Sequence, residues 1–267
     1  MGAAELVRRG LVDRTRTLLA WNVGIAAYVA LLAATFTSIE GSESFDELVQ
    51  DYPAALKDLF GLSDVVLTTG AGYMDTELFN IMLPLLVLVL AIGAGSRTLA
   101  GEEEAGRLEL LLAYPIRRRS AVLAKGLAVA LEVALVSLAA FVALAVFDPI
   151  VGLELDFERL AGATFALAVL GVLHAWLAIA VGAARPGRGL AIAVPAGLAA
   201  AAYLVNGLQD LASWLKPFRF LSSFWWAGQS PLSTGVQYDG CLVLAAAAVV
   251  ALAAGALLLE RRDLQVP

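Results

Sequence analysis

Leu78–Ser96 reads LFNIMLPLLVLVLAIGAGS, nineteen consecutive residues without a charged side chain. At a rise of about 1.5 Å per residue, a helix of this length covers about 28 Å, close to the ~30 Å hydrocarbon core of a bilayer. Five further runs of similar character flank it. They are Leu18–Ser38, Gly126–Phe147 (interrupted only by Glu132), Leu160–Ala184 (with His174 inside), Gly189–Leu208 (with Pro195 and Asn206) and Cys241–Leu259. Of the 267 residues, 60% are hydrophobic, and the mean hydropathy is +0.82. Ordinary soluble domains sit near 45–50% apolar, so lipid is the simplest place for the excess. Backbone groups in lipid must be satisfied within the segment, which leaves helices or a closed barrel. The short alternating segments of a barrel are not present.

The predicted fold is therefore all-α: a polytopic membrane helix bundle forming one domain over 1–267. Its six transmembrane helices fall at about 18–38, 78–99, 122–147, 160–184, 189–208 and 241–259. Arg8-Arg9 ahead of the first run resembles a secretory signal. The run is of full membrane length and no clean small-residue cleavage pattern follows it, which predicts a retained span. Mixed apolar and basic residues from Leu6 to Arg16 predict an N-terminal interfacial helix.

Fourteen of the 18 Lys and Arg residues lie before span one, between spans two and three, between spans four and five, or after span six. The other side holds Lys57, Arg159, Lys216 and Arg219. The positive-inside rule then places both termini in the cytoplasm and the chain, as a multi-pass protein, in the cytoplasmic membrane. The outer segments 39–77 and 148–158 are acidic. They read as a solvated surface, with an electrostatic lure for a cation as the sharper alternative. Phe45, Leu48, Val49, Tyr52, Leu56, Leu59 and Phe60 recur at helical spacing, predicting an outer amphipathic helical pair at about 44–61. The aromatic-rich stretch at about 211–232 is too broken by Lys216, Pro217, Arg219 and Pro231 to span. It predicts short re-entrant or interfacial helices. A net charge of −6 gives no support to nucleic-acid binding, and a single cysteine, Cys241, excludes an intrachain disulfide.

The segment most informative about function is Gly95–Gly126, GSRTLAGEEEAGRLELLLAYPIRRRSAVLAKG. Glu102, Glu103 and Glu104 stand where a short helix would begin, a favourable place for negative charge. Leu108, Leu111 and Leu112 form an apolar face, Pro115 stops the helix, and Arg117–Arg119 anchor the chain before the third span. An apolar face exposed beside the membrane needs a partner.

This stretch resembles the ABC-2 type permeases, in which a Gly-Glu-Glu-x-x-Gly-x-Leu-x-Leu-Leu-x-x-Pro pattern joins the second and third spans. Here it is Gly101-Glu102-Glu103-Glu104-Ala105-Gly106-Arg107-Leu108-Glu109-Leu110-Leu111-Leu112-Ala113-Tyr114-Pro115, with Arg107 where members often carry Thr. Tyr52-Pro53-Ala54-Ala55-Leu56 and the closing Glu260-Arg261-Arg262-Asp263-Leu264 are also similar to many members. The resemblance implies a permease subunit that pairs with a second permease chain, as homodimer or related heterodimer, and with a separate ABC ATPase subunit, more often for export than import. It implies that the 101–115 helix is the coupling element, with Glu102, Glu103, Glu104, Arg107, Leu108, Leu111, Leu112 and Pro115 contacting the ATPase. It implies no cofactor in this chain, ATP and Mg being bound by the partner. The chain has no G-x-x-x-x-G-K-[ST] phosphate loop of its own. The Gly93/Gly95/Gly101 cluster lacks the lysine and reads as helix packing.

Glu132 and His174 fall at similar depth on adjacent antiparallel spans, so they could meet. Such a pair reads either as a substrate or proton site or as a structural hydrogen bond between spans three and four. The first reading supports a rival function, an ATPase-independent proton-coupled secondary transporter. An intramembrane enzyme would need a nucleophile–base pair or a metal set, and His174 is the only histidine.

Overall fold

The computed structural model describes residues 3–38, 53, 56–57, 68–108 and 117–262. Among these residues the regular structure is helical throughout, with no strand. Helix α1 is Ala3–Val12 and α2 is Thr15–Phe36. The second span is composite, with α3 at Gly70–Met74, a π-helical turn at Asp75–Phe79 and α4 at Met82–Thr98. There follow α5 (Ala100–Glu104), α6 (Arg118–Val151), α7 (Phe157–Ala184) and α8 (Arg188–Leu208). A 3-10 segment (Ser213–Leu221) and two short helices, α9 (Ser223–Ala227) and α10 (Pro231–Thr234), lead to α11 (Tyr238–Arg261).

Six helical stretches are long and apolar enough to cross a membrane: Thr15–Phe36, Gly70–Thr98, Arg118–Val151, Phe157–Ala184, Arg188–Leu208 and Tyr238–Arg261. Most run past the ends of their apolar runs. Helix α6 has 34 residues, about 51 Å at the standard rise, well beyond the hydrocarbon thickness. A hydropathy window stops at the first charge, but the helix does not, because Arg118, Arg119 and Lys125 all find partners at its first turns. The far end stops at Gly152, left-handed at φ 70°. The backbone N–H groups of Gly152 and Leu153 donate to the Asp148 carbonyl at 3.0 and 3.2 Å. Asp156 then starts α7 by accepting from the Arg159 N–H at 2.8 Å.

Helix α7 is the centre of the bundle and packs against α4, α6, α8 and α11. In lipid no hydrophobic force drives helices together, so close approach and hydrogen bonds do the work. Gly95 on α4 shows the requirement: a Cβ there would lie 2.3 Å from the Ala175 carbonyl oxygen on α7. The Gly95 part of the glycine cluster is thus packing. Trp176 Nε1 on α7 donates to the Gly126 carbonyl of α6 at 2.9 Å. Helices α2 and α8 are the flanks; 28% and 22% of their apolar windows are buried, against 56% for α7. Their outward faces meet lipid or another chain.

Helix α1 packs along α6, with Gly10 facing Ala128 and Leu6 buried. Its Glu5 accepts from Arg8 and Arg9 at 2.8–2.9 Å. These bonds, Arg8 first, lower the Glu5 carboxyl to about 2. A depressed carboxylate contributes above its unfolded value of 4.5 and is lost only as pH falls through about 2. The charge pattern of α1 is therefore constant at ordinary pH.

The stretch expected to hold short interfacial helices does contain them. Trp214 and Leu221 on the 3-10 segment are 69% and 82% exposed, and Trp225 and Trp226 stack edge-on at 4.6 Å. This suits the headgroup zone, where amphipathic rings settle. The amphipathic pair expected at 44–61 lies outside the described residues, apart from Pro53, Leu56 and Lys57. There the N–H groups of Leu56 and Lys57 bond to the Pro53 carbonyl, one helical turn.

Candidate functional site: the glutamate junction

Helix α5 follows α4 at the end of the bundle where α1 and Arg262 lie. Its three consecutive acids diverge to three different spans. Glu102 Oε1 accepts from Lys125 Nζ on α6 at 2.5 Å. Glu103 is ion-paired with Arg262, the residue immediately after α11. Glu104 Oε1 accepts from the backbone N–H of Arg188, the first residue of α8, at 2.7 Å. Adjacent residues on a helix point about 100° apart, so a run of three is what lets one short helix reach three neighbours.

The α11 end of this junction is itself held. Arg118 Nη1 donates to the carbonyls of Leu259 and Arg262 at 3.2 and 2.7 Å, satisfying acceptors that a helix C-terminus leaves open. Arg119 pairs with Glu260 at 2.5 Å. Arg262 Nη1 also donates to the Gly182 carbonyl of α7 at 3.3 Å. Spans three, four, five and six therefore meet at α5.

This geometry corrects the expected form of the segment. Glu102 and Glu103 do stand in the first turn, but the helix is only five residues long, beginning at Ala100 and ending at Glu104. Glu102 and Glu103 are held by ion pairs, and Glu104 by the backbone N–H at the start of α8. Gly106 takes a left-handed φ of 64°, which breaks the path before Arg107 and Leu108. Arg107 is exposed at the edge of a cavity, whereas Leu108 is 2% exposed and packs inside the main core. Leu108 is thus not part of a free apolar face. Leu111, Leu112 and Pro115 lie outside the described residues.

Glu132 and His174 are not brought together. Glu132, 3% exposed, accepts from Arg14 Nη1 at 2.5 Å, joining the start of α2 to the middle of α6. His174 Nδ1 bonds to the Leu170 carbonyl of its own helix at 3.0 Å. The two side chains line separate cavities, Glu132 at the glutamate junction and His174 in an apolar cavity against α8 and the 3-10 segment. Similar depth did not imply facing azimuth. Arg14, assigned by sequence to the headgroups, is long enough to reach down to a buried carboxylate.

Sequence reasoning missed a knot at the opposite end. Asp75, read there as one of many solvated acids, is wholly buried in the π-helical turn. Its two oxygens accept from the backbone N–H groups of Leu232 and Ser233 at 3.0 and 2.7 Å, capping α10 from a distance. Arg159 Nη1 donates to the carbonyls of the same two residues at 3.1 and 2.6 Å. Asn80 Oδ1 accepts from the Ser230 N–H at 2.9 Å. The only available signal was that Asp75 abuts an apolar run, which does not separate buried from exposed. Asp75→Ala is expected to strand two buried donors and to lower stability by about 2–4 kcal/mol. Thermal unfolding in detergent checks this; Asp75→Asn, which keeps acceptor capacity on one oxygen only, should cost less.

The fold and the junction define a class: a multi-pass α-helical membrane protein whose inter-span connection is locked onto four of its spans. A family model described as ABC-2 family transporter protein matches residues 13–264. The chain belongs to that family, whose members are membrane transporter components. A search of curated proteins finds no match.

Proposed function

We propose that this chain is the permease subunit of an ABC exporter of the cytoplasmic membrane, with both termini in the cytoplasm, driven by ATP hydrolysed on a separate ATPase chain. Family membership and the six-span bundle support the permease assignment. The observation that carries the coupling is the divergence of Glu102, Glu103 and Glu104 to α6, α11 and α8. A push on the Ala100–Glu104 helix is delivered to several spans at once, as an element whose two positions an ATPase could bias. In this reading the three glutamates are the links between lever and bundle, while the family resemblance alone assigns Arg107, Leu111, Leu112 and Pro115 to contact with the ATPase. The concentration of cations at this end supports a cytoplasmic placement. The broad outward faces of α2 and α8 support pairing with a second permease chain.

The proton-coupled alternative rested on Glu132 and His174 acting together, and it is weakened by their separate partners. The deciding experiment is affinity purification of the tagged chain from its native membrane, followed by identification of bound chains. Recovery of an ABC ATPase in stoichiometric amount, lost when Leu111 and Leu112 are replaced by Glu, supports the reading. Transport by the purified chain alone, driven by a pH gradient in vesicles without any ATPase, would overturn it.

A further inference from the structure

A cavity of about 710 Å³ opens beside the glutamate junction, between α1 and the ends of α4, α6 and α8. Two of its cations are neutralised within the wall: Arg14 by Glu132 and Lys125 by Glu102. Arg97 and Arg188 have no carboxylate partner among the described residues. Arg97 Nε donates only to the Gly93 carbonyl of its own helix, at 2.7 Å. Arg188 Nε is buried with no hydrogen-bond partner. Both side chains pass the same point of the wall: a Cβ on Gly101 would lie 3.7 Å from Arg188 Cδ and 3.7 Å from Arg97 Cβ. Of the acids in the wall, Glu104 accepts from the backbone N–H of Arg188 itself, Glu132 lies near Arg97 as well as bonding to Arg14, and Asp13 sits on the α1 side.

A buried guanidinium nitrogen without a partner, as at Arg188, is costly, and an anion placed between it and the exposed Arg97 would satisfy it. The planar fork of arginine matches phosphate oxygens. Depth points the same way. Arg14 immediately precedes α2, Arg97 is the penultimate residue of α4, and Arg188 opens α8, so all three stand at span ends, at headgroup level. Basic pockets of this kind between spans suit anionic headgroups.

We propose that this cavity binds a phosphate-bearing anion between Arg97 and Arg188, with the interfacial helix α1 forming its outer wall. The inference is independent of the transport reading. Anion occupancy would brace α4 against α8 and give the buried Arg188 nitrogen a partner.

The test uses the full chain in uncharged detergent, with thermal unfolding followed during titration by dioctanoyl phosphatidylglycerol, dioctanoyl phosphatidylcholine or inorganic phosphate. The expected result is saturable stabilisation by phosphatidylglycerol that weakens with added salt. Apparent affinity should fall about tenfold in Arg97→Gln and in Arg188→Gln, in line with loss of a charge-assisted bond. Arg97→Lys and Arg188→Lys, which keep the charge, should retain most of the effect. Lys216→Gln, a charge removed at the opposite end, should leave it unchanged. Saturation by inorganic phosphate alone would identify a soluble phosphate as the ligand; saturation by phosphatidylglycerol alone would identify a lipid. Equal stabilisation by phosphatidylcholine, or undiminished affinity in both Gln variants, would overturn the proposal.

Discussion

Glu103→Ala is expected to lower the thermal stability of the bundle by the equivalent of about 2–3 kcal/mol and to cut transport roughly tenfold. Glu103 and Arg262 are both largely buried, with side-chain exposures of 20% and 14%. Removing the carboxylate strands a guanidinium whose remaining partners are the Gly182 and Ala183 carbonyls at 3.3 and 3.5 Å. Those two contacts keep the cost below the ~3–5 kcal/mol typical of a fully broken buried pair. The reversed pair, Glu103→Arg with Arg262→Glu, should recover part of the stability. Thermal unfolding and transport by the reconstituted complex are the two readouts. If α5 transmits force to α11, transport should fall while the partner's ATPase activity persists, because the motor runs but its stroke is not delivered. A variant that is destabilised as expected yet transports at the normal rate would remove Glu103 from the coupling path.

The second large effect is asymmetric. Arg14→Leu should destabilise by about 3 kcal/mol, since it leaves the carboxylate of Glu132 buried in α6 without its hydrogen-bonded counter-charge and with only Arg97 nearby. Glu132→Gln should cost less, because Arg14 is more exposed, at 21% against 4%, and can turn towards the aqueous end of the cavity. The double variant Arg14→Leu with Glu132→Leu should come close to the native stability. Buried ion pairs replaced by apolar residues of fitting shape are often neutral. A double-mutant cycle on unfolding temperatures measures the coupling directly. Additive single effects would mean that the pair is not a unit. Retained transport in the double variant would assign the pair a purely architectural role, tying α2 to α6.

Much of the architecture was legible in the chain itself. Hydrophobicity is a property of each residue, and the bilayer has one thickness. Runs such as Leu78–Ser96 and Cys241–Leu259 therefore announce their spans without any knowledge of neighbours. Charge counting between runs is a local sum of the same kind. The Gly-Glu-Glu pattern could also be located, since it is a local string in a topological place. Local signals failed where an answer depended on azimuth or on a distant partner. Asp75 and the solvated acids near it look alike as letters, but a π-helical turn carries Asp75 onto the backbone of Leu232 and Ser233. Leu108 matched an apolar stripe, and the break at Gly106 sends it into the core instead.

The amino-acid order by itself determined a six-span helical membrane protein, the direction of its charge asymmetry and the position of its signature segment. Each of these is additive along the chain. Tertiary structure alone decided which charges meet: Glu103 with Arg262 across 159 residues, and Glu132 with Arg14 across 118 rather than with His174. A salt bridge is set by distance and facing direction in three dimensions, and neither is encoded in spacing once the helices have been free to turn about their own axes.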